Sequence, residues 1–281
     1  MSDVTIGGRR VHYQLHGSGD PIVWVAGTGQ PGALWLRHQV AHFRERYLNV
    51  VFDLPGTGDS DAPQQPCTPA WFAGVLCRLV ESIGLDSATF VGLSLGSAIV
   101  QELALMKPSL VSRAVLIATW SQTSTEHHLR RWFEGRMETV RAGGGPQANA
   151  MSFWLWSQTL IEDEPELIES LEAFHSSIQT PQPIACRLAH YEADLAHDTR
   201  NRLAKVSCPV LVLHGAEDLI TLPRHNRTVS ERIPGAALTA IPNAGHLCNL
   251  ERPDLVNEAI DGFLVAQALS GGTRYIEDSA G

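Results

Sequence analysis

The chain has 281 residues, of which 44% are hydrophobic and 18% are charged. This composition is typical of one large globular domain with an insertion, and it argues against a disordered chain or two full-sized enzymes. The net charge of −9 disfavours nucleic acid and anionic membrane surfaces as partners, because both would be repelled.

The chain begins without a basic segment followed by a hydrophobic run, which predicts that there is no signal peptide. Its apolar stretches fall short of the roughly 20 residues needed to span a bilayer, so we expect a cytoplasmic protein without a membrane partner. Both a monomer and a homo-oligomer are compatible with the sequence. Scattered cysteines without a Cys-x-x-Cys pair predict reduced thiols, no metal site and no disulfide framework: Cys67, Cys77, Cys186, Cys208 and Cys248.

Short runs rich in β-branched residues predict the strands in chain order. The first two, 4–6 and 11–15, flank Gly7-Gly8, a hairpin signal, so we expect the sheet to begin with antiparallel strands. The later runs are almost entirely apolar, as in parallel strands that are covered on both faces: 22–26, 49–52, 88–91, 114–118, 210–213 and 238–241. Helical patterns alternate with these runs, which predicts an α/β fold with a mostly parallel, eight-stranded sheet flanked by helices.

Strand signals stop between Trp120 and about Leu203, where helical patterns take their place. We predict helices over 126–141, 147–161, 166–177 and 183–194. An all-helical block between two strands of a parallel sheet is most simply a cap over the carboxyl edge of the sheet, where ligands bind in open α/β folds.

These patterns divide the chain into a core and an insertion. We predict a core formed by residues 1–119 and 204–269, and a helical cap formed by residues 120–203. The Gly- and Ser-containing tail, 270–281, is predicted to be disordered.

A Gly-x-Ser-x-Gly motif at residues 92–96 directly follows the predicted strand 88–91 and precedes a helical pattern that ends at Pro108. The sharp turn from strand to helix holds such a serine in a strained conformation, and glycines let neighbouring chain pass close by. The helix N-terminus favours negative charge beside the serine. The motif alone is common, but in this setting it indicates that Ser94 is a nucleophile.

A serine hydroxyl needs a base, and among the twelve histidines His246 has the fitting position. It follows the last predicted strand and precedes the last helix, so it is expected at the same edge of the sheet as Ser94. A carboxylate must then orient the imidazole. Asp218, in the loop after strand 210–213, is the preferred residue, and Glu217 is the runner-up.

Over nearly its whole length, 4–268, the chain resembles the α/β-hydrolase superfamily, in which nucleophile, acid and histidine follow the order seen in Ser94, Asp218 and His246. It is most similar to bacterial members with a four-helix cap, which include esterases, enol-lactonases, carbon–carbon hydrolases and cofactor-free haloperoxidases. Residues 53–60 are similar to the Asp-x-x-Gly-x-Gly-x-Ser stretch of those enzymes. The resemblance implies an α/β-hydrolase fold with an inserted helical cap.

The resemblance also implies an oxyanion hole formed by the backbone N–H groups of Thr28 and Leu95. Family members usually carry His-Gly after the third strand, whereas here Ala26 precedes Gly27. This departure lies in the loop that holds Thr28.

A competing pattern occurs in the same loop. Residues 27–32 read Gly-x-Gly-x-x-Gly after a strand, and Asp53 ends the next strand, which together form a dinucleotide-binding fingerprint. The glycines follow a hairpin instead of opening the sheet, however, and Asp53 belongs to the turn at 53–60. We therefore prefer the hydrolase interpretation over a dehydrogenase.

The predicted function is a serine hydrolase that cleaves an ester, thioester or lactone through an acyl-enzyme, without a metal or an organic cofactor. Three alternatives stay open. The triad could serve a carbon–carbon hydrolase or a natural-product tailoring or cyclisation enzyme, or it could serve a cofactor-free haloperoxidase or perhydrolase. The third alternative is a ligand-binding protein without turnover.

The predicted cap is rich in aromatic residues, and we predict that Trp120 and Trp154 line the substrate pocket. Packing within the cap is the alternative interpretation of these side chains. No basic cluster stands out in this stretch, which disfavours a phosphorylated or multiply anionic substrate. The expected partner is a medium-sized, mostly apolar small molecule.

Overall fold

A computed structural model of the protein describes residues 2–63, 67–143 and 153–269. Within these ranges the strands are β1 Ser2–Ile6, β2 Arg9–His16, β3 Asp20–Val25, β4 Tyr47–Phe52, β5 Ala88–Leu93, β6 Val111–Ile117, β7 Val210–Gly215 and β8 Ala237–Ile241. They form an eight-stranded sheet in the order β1-β2-β4-β3-β5-β6-β7-β8. β2 runs antiparallel to β1 and to β4, and the other neighbouring strands are parallel. The predicted α/β class, the antiparallel start and the mostly parallel sheet are confirmed.

The helices of the described ranges are α1 Pro69–Ser82, α2 Leu95–Met106, α3 His127–Arg141, α4 Gln158–Asp163, α5 Pro165–Ser177, α6 Ile184–Ala196, α7 Pro223–Arg232, α8 Cys248–Glu251 and α9 Pro253–Leu269. Shorter helical segments occupy Gly32–Trp35, Leu36–Val40, Ala41–Phe43, 153–155 and Leu203–Lys205. Helices α3 to α6 lie between β6 and β7, and we call them the cap helices. None of the described helices has the length and apolar character needed to cross a membrane.

Alternation along the central strands builds a core on each face of the sheet. In β3, Val23 and Val25 belong to one buried cluster, and Ile22 and Trp24 belong to the other. All four side chains are buried because helices cover both faces, which explains why the sequence pattern is continuous rather than alternating. The loops that follow β3, β5, β7 and β8 meet at the carboxyl edge of the sheet.

The predicted helix over 147–161 is wrong in its described part. Residues 153–155 are helical, but the helix breaks there and α4 begins only at Gln158. The backbone of Ser157 is extended, and its hydroxyl accepts a hydrogen bond from the Leu160 N–H at 3.1 Å. A serine in this position caps a new helix. Residues 147–152 lie outside the described part of the chain.

The other three helices predicted in the insertion are confirmed as α3, α5 and α6, with small shifts at their ends. The division of the chain into a core and a cap with boundaries at 120 and 203 stays a prediction. The predicted tail, 270–281, lies outside the described residues.

Candidate active site

Ser94 occupies the sharp turn between β5 and α2. Its backbone has φ 53° and ψ −121°, a conformation that residues other than glycine rarely adopt. The turn is so tight that a Cβ on Gly92 would lie 2.3 Å from the carbonyl oxygen of Gly96. Leu95, as the first residue of α2, has a backbone N–H without a partner inside the helix. The strained turn and an N–H that the helix itself leaves unpaired are the features expected of a nucleophile beside an oxyanion hole.

Asp218 and His246 are hydrogen-bonded to each other and buried. The Nδ1–H of His246 donates to Oδ2 of Asp218 at 2.9 Å, so that Nε2 is left as the basic nitrogen. The other acceptor positions of Asp218 are also used: Oδ1 accepts from the backbone N–H groups of Ile220 (2.8 Å) and Thr221 (3.0 Å), and Oδ2 accepts from the Thr221 hydroxyl (2.6 Å). These bonds hold the carboxylate in place against the ring of His246.

The runner-up acid, Glu217, has a different set of contacts. Its carboxylate accepts hydrogen bonds from the backbone N–H of Thr159, at 3.0 Å, and from the hydroxyl of the same residue. Thr159 lies in the first turn of α4, where a helix favours negative charge. The structure therefore brings Asp218, and not Glu217, to the ring of His246.

Ser94 and His246 line one cavity, which lies between the loops at the carboxyl edge of the sheet and the cap helices. Thr28 lines this cavity too. The apolar part of the wall is formed by Leu93, Trp132, Phe133, Val140, Leu155, Trp156, Ile220 and Leu247. The polar part includes Gln30, Arg136, Glu172, His175, Gln179, Arg187 and Tyr191. A molecule bound here would meet the serine and the imidazole together.

Comparison with known proteins agrees with this geometry. The sequence model described as the Alpha/beta hydrolase family matches residues 22–259. The chain belongs to the α/β hydrolase family. The dehydrogenase interpretation of residues 27–32 is accordingly wrong: the carboxylate of Asp53 accepts from the N–H groups of Gly32 (2.7 Å) and Asp59 (2.9 Å), which holds the turn together.

The relatives of this α/β hydrolase are named for different activities. BpoC of Mycobacterium tuberculosis, which carries the name of a non-heme bromoperoxidase, is 32% identical over 265 residues, covering 90% of this chain and 97% of BpoC. The 3-oxoadipate enol-lactonase 2 of Acinetobacter baylyi is 26% identical over 257 residues, covering 90% of this chain and 92% of that protein. The crystal structure of the enol-lactonase from Burkholderia xenovorans shares the fold, with a TM-score of 0.84, 24% identity, and 94% and 100% of the two chains covered.

The loop that holds Thr28 in this hydrolase is hydrogen-bonded to α6. The hydroxyl of Thr28 donates to Oδ2 of Asp194 at 2.7 Å, and the backbone N–H of Gly29 donates to Nδ1 of His190 at 3.2 Å. Nε2–H of His190 donates in turn to the carbonyl oxygen of Pro55 at 2.9 Å. Burial lowers the pKa of His190 to about 4, so the ring is neutral and Nδ1 is free to accept. A helix of the insertion thus fixes the loop that lacks the usual histidine.

Asp194 gives a prediction about stability and pH. It is buried, and burial raises the pKa of its carboxyl well above the ordinary value, so the folded protein keeps it protonated where the unfolded chain ionises it. The unfolded state then binds fewer protons, and the free energy of unfolding falls as pH rises, by up to about 1.4 kcal/mol per pH unit below the folded pKa. Asp194→Asn keeps an oxygen that can accept a hydrogen bond from the Thr28 hydroxyl. Because asparagine does not ionise, this side chain no longer lowers the free energy of unfolding as pH rises. We expect the variant to gain stability over the wild type between about pH 5 and about pH 7.

Urea unfolding of both proteins at the two pH values measures this gain. The matched control is Asp198→Asn, which removes the same charge from an exposed position just after α6. An equal stability difference at both pH values for Asp194→Asn would contradict the prediction.

The two tryptophans predicted to line the pocket have other roles, and this prediction is corrected. Trp120 is fully buried: its Nε1–H donates to the hydroxyl of Thr123 at 2.8 Å, and its ring packs against His197, with ring centroids 5.1 Å apart. Trp154 packs on the ring of Trp132 at 4.7 Å. In the described residues, Trp132 and Trp156 line the cavity in their place.

A spacing in α3 could have shown which side chains face the cavity. Trp132, Phe133, Arg136 and Val140 recur at the interval of one helix face, and all four line the cavity. The sequence pattern identifies that face, but it does not show which partner the face meets. The structure is therefore needed to show that this face of α3 lines the cavity with Ser94.

One group of metal-type ligands occurs among the described residues. It consists of His12, Asp53 and Asp59, whose ligand atoms lie within 4.8 Å of one another. The oxygens of Asp53 hold the turn at 53–60, and Nδ1 of His12 is hydrogen-bonded to Asp3 at 2.8 Å. These bonds are consistent with a structural role for the group.

Proposed function

We propose that this α/β hydrolase is a serine hydrolase that cleaves an ester, thioester or lactone through an acyl-enzyme. Ser94 would be the nucleophile, His246 the base and Asp218 the residue that orients the imidazole. The observation that carries the proposal is that Ser94 and His246 line the same cavity, and that the ring of His246 is hydrogen-bonded to Asp218.

The reaction would run in two halves. The hydroxyl oxygen of Ser94 adds to the carbonyl carbon of the substrate while Nε2 of His246 takes the hydroxyl proton. The negative oxygen of the tetrahedral intermediate accepts hydrogen bonds from the backbone N–H groups of Leu95 and Thr28. His246 then gives its proton to the leaving alcohol or thiol, and the acyl group stays on the serine. Water, deprotonated by the same imidazole, attacks the acyl-enzyme and releases the carboxylic acid.

Names of the relatives support two variants of this chemistry. The similarity to an enol-lactonase supports a lactone or ester substrate, for which water is the final nucleophile. The similarity to BpoC supports a second candidate, perhydrolysis, in which hydrogen peroxide attacks the acyl-enzyme and a peracid leaves. Both variants need the same serine, imidazole and carboxylate.

Covalent labelling tests the proposal. We expect a fluorophosphonate to label the wild type and p-nitrophenyl butyrate to be hydrolysed, whereas Ser94→Ala should show neither reaction. Ser109→Ala, which alters an exposed serine, is the matched control and should behave like the wild type. A wild type that hydrolyses neither ester nor lactone and takes no label would overturn the proposal in favour of a binding protein. Peracid formed from acetate and peroxide would identify the second candidate.

A further inference from the structure

Glu251 is a buried acid that the reaction of Ser94 and His246 does not use. It ends α8, five positions after His246, and is 3% exposed. Burial raises the pKa of its carboxyl group, whereas the hydrogen bonds that it accepts and the nearby Arg252 lower it. A carboxylate that is withdrawn from water is costly unless its oxygens are well bonded, so the contacts of Glu251 need an explanation.

The two carboxylate oxygens of Glu251 bind separate parts of the chain. Oε1 accepts from the backbone N–H of Gly245, the residue before His246, at 2.7 Å. Oε2 accepts from the backbone N–H of Ser157 at 3.1 Å and from its hydroxyl at 2.7 Å. Both oxygens act as acceptors, which is what an ionised carboxylate offers. One side chain therefore joins the loop of His246 to residues 155–157 of the insertion.

Residues 155–157, which we call the wall segment, form part of the active-site cavity. Leu155 and Trp156 both line it. The backbone N–H of Leu247 donates to the carbonyl oxygen of Leu155 at 3.1 Å, which is a second link between the wall segment and the loop of His246. The residues before and after the imidazole are thus both tied to the wall segment, one of them through Glu251.

Gly245 lies in a narrow space between the wall segment and the sheet. A Cβ on Gly245 would lie 2.6 Å from the carbonyl carbon of Trp156 and 2.7 Å from the nitrogen of Ser157. From the other side, a Cβ on Gly215, at the end of β7, would clash with the carbonyl oxygen of Gly245. Packing therefore encloses the chain before His246, and the hydrogen bond from Glu251 sets the direction of its peptide group.

We propose that Glu251 is a positioning residue: it holds the N–H of Gly245 against the wall segment and thereby keeps the ring of His246 between Asp218 and Ser94. The ring can transfer the serine proton only while Nδ1–H stays on Asp218 and Nε2 faces the hydroxyl. A displacement of about 1 Å can cost about 10²-fold in rate. The role rests on the proposed function for its kinetic test but not for its spectroscopic test.

The kinetic test compares two substitutions of Glu251 with p-nitrophenyl butyrate as substrate. Glu251→Ala leaves buried N–H groups without an acceptor, so we expect kcat to fall about 10²-fold and KM to change less than about threefold. Glu251→Gln keeps one acceptor oxygen, so we expect a loss of about tenfold in kcat. Both variants remove the same charge, so the difference between them measures position. Titration with a fluorophosphonate counts the active sites and removes the contribution of unfolded protein. Glu258→Gln, which removes an exposed charge from α9, should behave like the wild type.

The pH dependence separates a positioning role from a role in stability. Asp218 stabilises the protonated ring, so a ring that moves away from it has a lower pKa, and loss of the Glu251 charge acts in the same direction. Cys248 lies in the same loop, but burial raises the pKa of its thiol, which stays neutral. The acidic limb of kcat/KM should therefore move to lower pH in Glu251→Gln, by about half a unit or more. An NMR titration of the His246 ring should show the same shift without any turnover.

Each outcome decides between the roles. A Glu251→Gln protein with the wild-type kcat and the wild-type acidic limb would overturn the positioning role and leave the serine hydrolase intact. A loss of activity that only matches the loss of labelled active sites, with an unchanged ring titration, would also overturn it, because Glu251 would then stabilise the fold alone. A shifted ring titration in Glu251→Gln, together with a wild type that neither hydrolyses esters nor takes the label, would keep the positioning role and overturn the proposed function.

Discussion

Asp218→Asn is expected to lower kcat/KM for an ester substrate by about 10³- to 10⁴-fold. In the wild type the carboxylate accepts from Nδ1–H of His246 at 2.9 Å, which keeps Nε2 unprotonated and ready to take the serine proton. An asparagine can offer its NH₂ group at the same place, and a ring that accepts at Nδ1 carries its proton on Nε2. The imidazole is then in the wrong tautomer, and it also loses the charge that stabilises its protonated form.

The neighbouring acid supplies the control. Glu217→Gln removes the same charge from the same loop, but the native carboxylate contacts Thr159 in α4. We expect kcat/KM for this variant to stay within about threefold of the wild-type value and the stability to change by less than about 1 kcal/mol. Steady-state kinetics and circular dichroism on both variants measure the contrast. A larger loss of activity for Glu217→Gln than for Asp218→Asn would show that the wrong carboxylate has been assigned.

Gly96→Ala is expected to destabilise the fold by about 3 kcal/mol or more, and to lower the soluble yield. A Cβ at this position would lie 2.2 Å from the carbonyl oxygen of Val25 and 2.7 Å from that of Ala26. These are backbone atoms at the end of a central strand, so they cannot rotate away as a side chain could. Relief would require α2 to move off the sheet, which would displace Ser94 as well.

Gly135→Ala is the matched control for this substitution. Gly135 lies inside α3, is exposed, and would have no atom within 4 Å of an added Cβ. Alanine in an exposed helix interior should increase the free energy of unfolding by about 0.5 to 1 kcal/mol. Urea unfolding of both variants gives the comparison. A Gly96→Ala protein within about 0.5 kcal/mol of the wild type would contradict the packing argument.

Features written in short stretches of sequence could be predicted. The central strands are continuous apolar runs because both faces of the sheet are covered, and Gly7-Gly8 signals the first hairpin. The turn at Ser94 needs glycines on both sides, so its motif is visible in five residues. The elements that these signals predict are present in the structure.

Features that depend on distant contacts could not be predicted. The helix break at Ser157 is one, because its hydroxyl donates to Oε2 of Glu251 at 2.7 Å, across 94 positions of sequence. The same carboxylate accepts from the N–H of Gly245, directly before His246, at 2.7 Å. The residues next to Ser157 in the sequence do not indicate that its partner is the carboxylate of Glu251.

The side chains that hold the loop at 26–29 could not be predicted for a similar reason. His190 and Asp194 each appear as a single polar residue in an ordinary helical pattern, and their importance comes from the loop that α6 meets. The position of Trp120 directly after a strand predicts that it lines the pocket, whereas its ring packs beside Phe133 in the core. Position along a strand predicts the edge at which a residue lies, but it does not predict the direction of its side chain.

The hydrogen bonds that Thr28 and Gly29 donate to Asp194 and His190 of α6 restrict how the enzyme can admit its substrate. A lid that opened by lifting α6 would break both hydrogen bonds and displace the backbone N–H of Thr28, which we propose as an oxyanion donor, in every catalytic cycle. We therefore expect α6 to act as a fixed wall and the substrate to pass on the side of α3 or α5. In engineering, an exchange of lids between relatives should transfer α6 and the loop at 26–29 together, as one cassette.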